Sequence, residues 1–504
     1  MKISRQTFIL FFLFLLNFLF RLSLISKGPF YADCLLLAVQ SKSTLETFRV
    51  HYLEGTGLPF TTIMGAVFVG FGKWLGMTDI VLAVNFMNVV LSSLCVPVFY
   101  LFLHKLFGRQ AALVGALVLS FNTIFLGVST FGNSQVLAAL LFLAGLLWMV
   151  QYFQTGNRLN LFFSGIIFGL LGAARLQDLV ATAPALALLL WTRPGMAERK
   201  LPVKDLFVFF LIVLAVSTIF YIPSLVNRKN FVAADFLPHY MMMISQTLGR
   251  VDLNTIRIVL KWMFTSVSLL GCLGAVAGFW LLAKRDRPWF VCIMGLVFLP
   301  MLVFALFWYS LPRIYLIPAI MLIIPLSYAA SLFNNINPKQ FKVVMACLIV
   351  SLSINGIGIY QTVKFRHDYA LLPDFYRWMN LVTEPGATII ERDHSLFIKY
   401  YARRIPLGVP VTLFEARPNE LLKYKNRIDF LLGNNIPVYI TDTGLNGFPD
   451  HLKFDEFMHA NFEFEHMGDR MIEDWYNDVL VHSVVQNSLY RVRKKKVNIQ
   501  GSIP

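Results

Sequence analysis

Residues 7–26, TFILFFLFLLNFLFRLSLIS, decide the fold. A run of this length and character is what a helix needs to cross about 30 Å of hydrocarbon. It follows Lys2 and Arg5, as the apolar core of a secretory signal does, yet no small-residue cleavage site follows and further apolar runs come after it. The sequence predicts an uncleaved anchor. Working outward, similar runs recur near 80–103, 110–128, 135–153, 160–175, 178–192, 206–226, 260–283, 289–309, 314–333 and 341–361, and then stop. Composition agrees: 57% of the 504 residues are hydrophobic, 14% are charged and the mean hydropathy is +0.64, beyond what a soluble globular chain carries. The expectation is a polytopic α-helical membrane protein of about 11 spans, covering 1–361.

Residues 58–76 are apolar but short, carry Pro59 and four glycines, and end in Lys73-Trp74, as a helix lying in the interface does. Charge parity bears on their placement. If they do not span, Lys105, Arg109, Arg158, Arg193, Arg199, Lys200, Lys204, Lys284, Arg285, Arg287, Lys339 and Lys342 all fall on the N-terminal side, in five short loops. The positive-inside rule then puts the N-terminus in the cytoplasm. The first outer loop (27–79), the long outer loop (227–257) and everything after residue 361 lie outside.

Residues 362–504 read as a soluble extracytoplasmic α/β domain. Strand-like runs at Ala387–Glu391, Val409–Phe414 and Ile436–Thr441 alternate with the helical stretch Asn419–Gly433, and Glu384-Pro385-Gly386 and Asn434-Asn435-Ile436-Pro437 mark turns. No nucleotide-binding glycine pattern is present. From 361 to 500 there are 18 Lys+Arg and 18 Asp+Glu, so the net +16 belongs to the membrane part and reflects topology. No nucleic acid is expected as a partner, since no basic stripe interleaves with aromatics and Arg491 to Lys496 is a short run. The five cysteines all precede residue 361, which leaves the soluble part without a disulfide framework or thiolate metal site. His451, His459 and His466 are spaced by eight and seven residues, unlike helical metal ligands. The absence of any Asn-x-Ser/Thr sequon leans toward a prokaryotic membrane.

Gly28-Pro29-Phe30-Tyr31-Ala32-Asp33 after the first span, His51 and Leu58-Pro59-Phe60, and the turn from His104 to Ala112 form one pattern with later segments. These are Gly172-Ala173-Ala174-Arg175-Leu176-Gln177-Asp178, Leu311-Pro312-Arg313-Ile314-Tyr315-Leu316-Ile317-Pro318, and the tail with Pro385-Gly386-Ala387 and Lys399-Tyr400-Tyr401. The chain thereby resembles the C-type (GT-C) polytopic glycosyltransferase superfamily, in its protein O-mannosyltransferase and lipid A aminoarabinose transferase branch. It departs from many relatives at Cys34, where a second acid stands, and at Ser129–Gln135, an outer loop without an acid. Cofactors are therefore none certain, a divalent metal finding no second carboxylate. The resemblance implies an inverting transfer of a sugar from a polyisoprenyl-phosphate donor to a lipid, glycan or protein acceptor on the outer face of the membrane.

Such a transfer needs a base for the acceptor, cations for the departing phosphate and a dry slot for the sugar. Asp33, partly desolvated, suits the general base; its alternative role is to cap the stretch Cys34–Gln40. Arg175 and Arg313 suit the donor phosphate, because guanidinium forks match phosphate oxygens and charges near hydrocarbon need an anion. The alternatives are an internal pair with Asp178 for Arg175 and snorkelling for Arg313. His51 and His239 suit substrate hydroxyls or phosphate, or are simply interfacial. No metal-binding residue is assigned. The rival functions are a transporter or flippase and a surface-polysaccharide polymerase or ligase; the pattern of spans shows no inverted repeat of the transporter kind.

Overall fold

The computed structural model describes residues 4–51, 58–194, 203–226, 253–307, 311–391, 394–408, 418–446, 451–473 and 483–495. Of these, 4–27 and 36–368 form one compact unit and 28–35 with 369–473 and 483–495 a second.

The first unit is helical throughout: α1 Arg5–Leu22, α2 Ala32–Thr47, α3 Pro59–Trp74, α4 Ile80–Phe107, α5 Arg109–Ser120, α6 Thr123–Val128, α7 Gln135–Thr155, α8 Arg158–Ala174, α9 Leu176–Thr192, α10 Val203–Val226, α11 Leu253–Arg285, α12 Arg287–Phe307, α13 Leu316–Met321, α14 Ile323–Ile336 and α15 Pro338–Asp368. Among the described residues, eight segments are long and apolar enough to cross a membrane, and α5, α8 and α9 are shorter apolar helices. Each predicted run falls on one of these. Two runs are divided, however. Residues 110–128 make α5 and α6, because Asn122 turns the chain and accepts the Phe125 amide at 2.9 Å. Residues 314–333 make the end of a 3-10 turn, Pro312–Tyr315, then α13 and α14. Helix α11 also breaks at Ser268, whose φ of 67° is left-handed, and the Thr123 hydroxyl donates to the carbonyl of Thr265 one turn before it.

Local signals fix the helix ends. Asp79 accepts the amides of Val81 (2.8 Å) and Leu82 (3.4 Å) at the start of α4, which closes on Gly108 at φ 85°. Asn157 caps α8 through the Leu159 amide at 3.0 Å.

Helix α4 also orients the bundle. Near its start, Asn85 donates through Nδ2 to the Ser26 carbonyl (2.8 Å) and accepts the Gly132 amide (2.7 Å). At its other end, the Lys105 carbonyl accepts Gln154 Nε2 at 2.8 Å. The end of α1 and the start of α4 therefore lie together; α3 begins beside Ala174, through the Thr61 hydroxyl, and ends beside α4, where a Cβ on Gly72 would fall 3.0 Å from the Ala83 Cβ. Helix α3 seats on α2 through Gly65, where a Cβ would fall 2.0 Å from Ser41 Oγ. A larger residue there would turn the Ser41 hydroxyl away and press on the Ser41 Cβ, 3.0 Å off.

The second unit holds a five-stranded sheet of order β2-β1-β3-β5-β4, from β1 Thr388–Glu391, β2 Ile405–Gly408, β3 Val438–Thr441, β4 Phe462–Glu473 and β5 Val484–Lys494. Strands β1, β2 and β3 are mutually parallel, with Thr388 opposite both Ile405 and Val438; β5 runs antiparallel to β3 and β4. All four residues of β1 and of β3 are buried, as expected of parallel strands covered on both faces. Helix α16 Leu371–Val382 precedes the sheet, and α17 Pro418–Gly433, α18 Asp442–Asn446 and α19 His451–Asn461 flank it. Ile390, Ile428, Val438, Ile440, Met458 and Val492 form its core. The expected strand Val409–Phe414 lies outside the described residues; Ile405–Gly408 just before it takes the edge position.

Candidate functional site

The two ends of the helical unit differ in chemistry. At the basic end, Asp205 accepts the Tyr152 hydroxyl at 2.6 Å, lies 2.5 Å from Arg193 Nη2 and 3.8 Å from Arg158. At the opposite end, buried amides join the segments. The Ser26 amide donates to Thr130 (3.0 Å) and the Lys27 amide to Arg366 (3.1 Å). Asn88 donates to the Phe131 carbonyl (2.6 Å), and Asn133 donates to Val128 (2.6 Å) and accepts the Gln135 amide (3.0 Å). This network satisfies the buried backbone of loop 129–135 and joins it to the ends of α1 and α15.

Arg175 and Arg313 both belong to this opposite end. Arg175 terminates α8, which starts beside Asp205, and its φ of −161° turns the chain into α9. The Thr61 hydroxyl of α3 donates to the neighbouring Ala174 carbonyl at 2.9 Å. Arg175 is buried, and its Nε lies 3.4 Å from Asp178 Oδ1, so the internal pair exists. Arg313 is half-buried in the 3-10 turn 312–315, which packs on α6, α11, α12 and α13. Helix α6 runs into Thr130, the partner of Ser26.

Asp33 is exposed in the first turn of α2, where a carboxylate faces the positive end of the helix dipole. It is the second residue of the helix and not its cap: the Tyr31 carbonyl receives the first amides, from Cys34 (3.0 Å) and Leu35 (3.5 Å). His51 closes the other end of α2, with Nε2 at 3.0 Å from the Thr47 hydroxyl and its amide donating to Thr44 Oγ1 at 3.0 Å. His239 lies outside the described residues. Among the described residues, no three His, Cys, Asp or Glu side chains converge as metal ligands.

Sequence reasoning passed over two buried arginines. Arg21 is completely buried on α1, with its Cζ 4.9 Å from the centre of the Phe125 ring and Nη1 donating to Asn17 Oδ1 at 2.5 Å. Arg366 stands 5.9 Å from the Phe131 ring. The signal for Arg21 was legible as an ionisable residue inside a span. In the second unit Glu391 was also missed; it is 1% exposed and accepts three hydroxyls. Nearby, burial opposes ionisation of Glu384, but the Tyr439 hydroxyl, its own backbone amide, Arg491 and Arg404 together hold its carboxyl below the ordinary range.

Residues 62–221 match the family model described as dolichyl-phosphate-mannose-protein mannosyltransferase. A search of curated protein sequences gave no match. The solved structure of ArnT from Cupriavidus metallidurans bound to undecaprenyl phosphate is similar over 96% of this chain and 97% of its own, at 13% identity and a TM-score of 0.63. An oligosaccharyltransferase from Archaeoglobus fulgidus, in complex with Zn and sulfate, is similar over 94% of this chain and 72% of its own, at 15% identity and a TM-score of 0.59. The fold is thus that of the polytopic C-type glycosyltransferases, an integral membrane architecture with a C-terminal sheet region. The family match falls on the residues that form α3 to α9 and most of α10.

Proposed function

We propose that the protein is an inverting glycosyltransferase that takes one sugar from a polyisoprenyl-phosphate donor at the outer face of a cell membrane. The acceptor is a lipid, glycan or protein. The N-terminus and the basic end of the helical unit face the cytoplasm, and residues 362–504 form an extracytoplasmic domain that guides the acceptor. One observation carries this reading: Arg175 and Arg313 lie at the end of the first unit away from its basic loops, the end at which Ser26 bonds Thr130.

In the proposed step the Asp33 carboxylate takes the proton of the acceptor hydroxyl or amine as that atom attacks the anomeric carbon. The bond from carbon to the phosphate oxygen breaks on the opposite side, which inverts the centre. The lipid phosphate leaves with the electron pair, and Arg313 stabilises the charge it gains. Arg175 is assigned to the same phosphate as a cation that also pairs with Asp178. His51 and His239 are assigned to donor or acceptor hydroxyls. Positioned base catalysis contributes about 10²–10⁴-fold, so Asp33→Asn should lose that factor in transfer while still binding donor. The test is turnover of radiolabelled polyprenyl-phosphate sugars by the purified protein in nanodiscs with a membrane extract as acceptor. Full activity of Asp33→Asn would remove the base, and absence of turnover with every donor would remove the transferase reading.

A further inference from the structure

Residues 28–35 belong to the second unit, although the chain on either side of them belongs to the first. The first unit holds the chain as far as residue 27. The Ser26 amide donates to the Thr130 carbonyl (3.0 Å), the Lys27 amide to the Arg366 carbonyl (3.1 Å) and Lys27 Nζ to the Asp368 carbonyl (3.0 Å). Helix α2 rejoins the first unit at Leu36. Between these points Gly28, Pro29, Phe30, Cys34 and Leu35 are buried while Asp33 is exposed. A proton-accepting side chain thus stands outward on a segment that is otherwise largely packed.

That segment packs against the start of α16. A Cβ on Gly28 would stand 3.1 Å from Pro373 Cγ and 3.3 Å from Ala370 Cβ. Two carbons prefer a separation of about 3.5–4.0 Å, so glycine at this position is what lets the chain lie on the first turn of the helix. Helix α16 is itself fixed within the second unit. Its Leu372, Phe375 and Met379 are buried, and the Tyr376 hydroxyl donates to Glu391 Oε2 at 3.4 Å. At its C-terminus Arg404 Nη2 donates to the carbonyls of Asn380 (2.8 Å) and Thr383 (2.6 Å), where a cation also meets the negative end of the helix dipole.

We propose that Pro373 and Ala370 are positioning residues for Asp33: by closing on Gly28 they hold residues 28–35 to α16 and set where the carboxylate meets the acceptor's proton. The proposal rests on the transferase reading with Asp33 as its base. A base acts in the chemical step and not in donor binding, so its displacement lowers kcat and leaves the donor KM alone.

The test is steady-state transfer by full-length variants in nanodiscs, with a polyprenyl-phosphate sugar as the varied substrate. Gly28→Val drives a side chain into Pro373, and a shift of about 1 Å at a reacting group costs up to about 10²-fold, so kcat should fall by roughly 10–100-fold at unchanged donor KM. Gly28→Ala, the smaller intrusion, should fall between wild type and Gly28→Val, and it carries the same comparison where Gly28→Val does not fold. Pro373→Ala removes Cγ and Cδ, and combined with Gly28→Val it should recover most of the loss. In an Asp33→Asn background Gly28→Val should cost nothing further, because two changes that act through one group are not additive. Wild-type kcat in both Gly28 variants, a loss that Pro373→Ala does not recover, or a loss carried by donor KM would overturn the proposal. Full activity of Asp33→Asn, with the loss in Gly28→Val still recovered by Pro373→Ala, would instead remove Asp33 as the base and leave the hold of α16 on residues 28–35 standing.

Discussion

The two ends of the helical unit solve the same problem with different chemistry. The basic end joins its helices through one carboxylate, Asp205, shared by Tyr152, Arg193 and Arg158 near the surface. The opposite end joins them through neutral amides, Asn85, Asn88 and Asn133, buried against backbone. Arg158 is 81% exposed, so water and salt compete for it, while Arg193 and Asp205 are largely shielded. Buried amides satisfy backbone groups in both directions and fix loops in one register. The end that carries Arg175 and Arg313 is thus the one built to hold geometry, and the other is built to set orientation.

Four experiments break or sharpen this contrast. The largest effect belongs to catalysis at the geometric end: Arg313→Ala should lower kcat/KM for the polyprenyl-phosphate donor by about 10–100-fold, as loss of a charge-assisted contact does, with Arg313→Lys recovering part. Steady-state kinetics against donor concentration read it. Next, Asp178→Ala leaves buried Arg175 without that carboxylate and should cost about 3–5 kcal/mol, while Arg175→Met with Asp178→Leu should cost much less. A destabilisation of the double variant as large as that of the single would show that Arg175 is held by other partners. Third, Asn85→Ala removes two buried hydrogen bonds and should lower stability by about 2–4 kcal/mol, against about 1 kcal/mol or less for Arg158→Ala at the exposed side of the basic end. Thermal unfolding in nanodiscs ranks the two, and a reversed order would end the comparison.

The smallest effect lies in the second unit. Glu384 has a depressed pKa in the folded state, so its contribution is present above the unfolded carboxylate value of about 4.3 and fades as pH falls through the folded value. Unfolding temperatures of wild type and Glu384→Gln should therefore differ at pH 6 and converge toward pH 3.

Sequence carried the membrane unit far. Apolar runs and loop charges place the helices, because hydrocarbon demands both length and internally satisfied backbone. What it did not show was where a run is interrupted. Asn122 turns the chain through a local bond to Phe125, whereas the break at Ser268 lies one turn after Thr265, whose carbonyl receives the distant Thr123 hydroxyl. In the second unit β1, β3 and α17 were legible from buried apolar runs and helical periodicity. Strands β4 and β5 were not, because half-exposed antiparallel strands such as Phe462–Glu473 mix charge into their pattern. At the site, Arg175 and Arg313 stood out as charges beside spans. The alternative role of Asp33 as a cap is not the one it takes, because the helix starts at Ala32 and Tyr31, two residues before Asp33, receives its first amides. Glu391 was unreadable, since its importance comes from a parallel pairing with β3 some fifty residues away.

Helix α3 runs from Ala174 to the start of α4, and its Gly65 lies directly against Ser41 of α2. The smallness of position 65 thus sets how closely α2 and α3 lie, and with it where α4 starts.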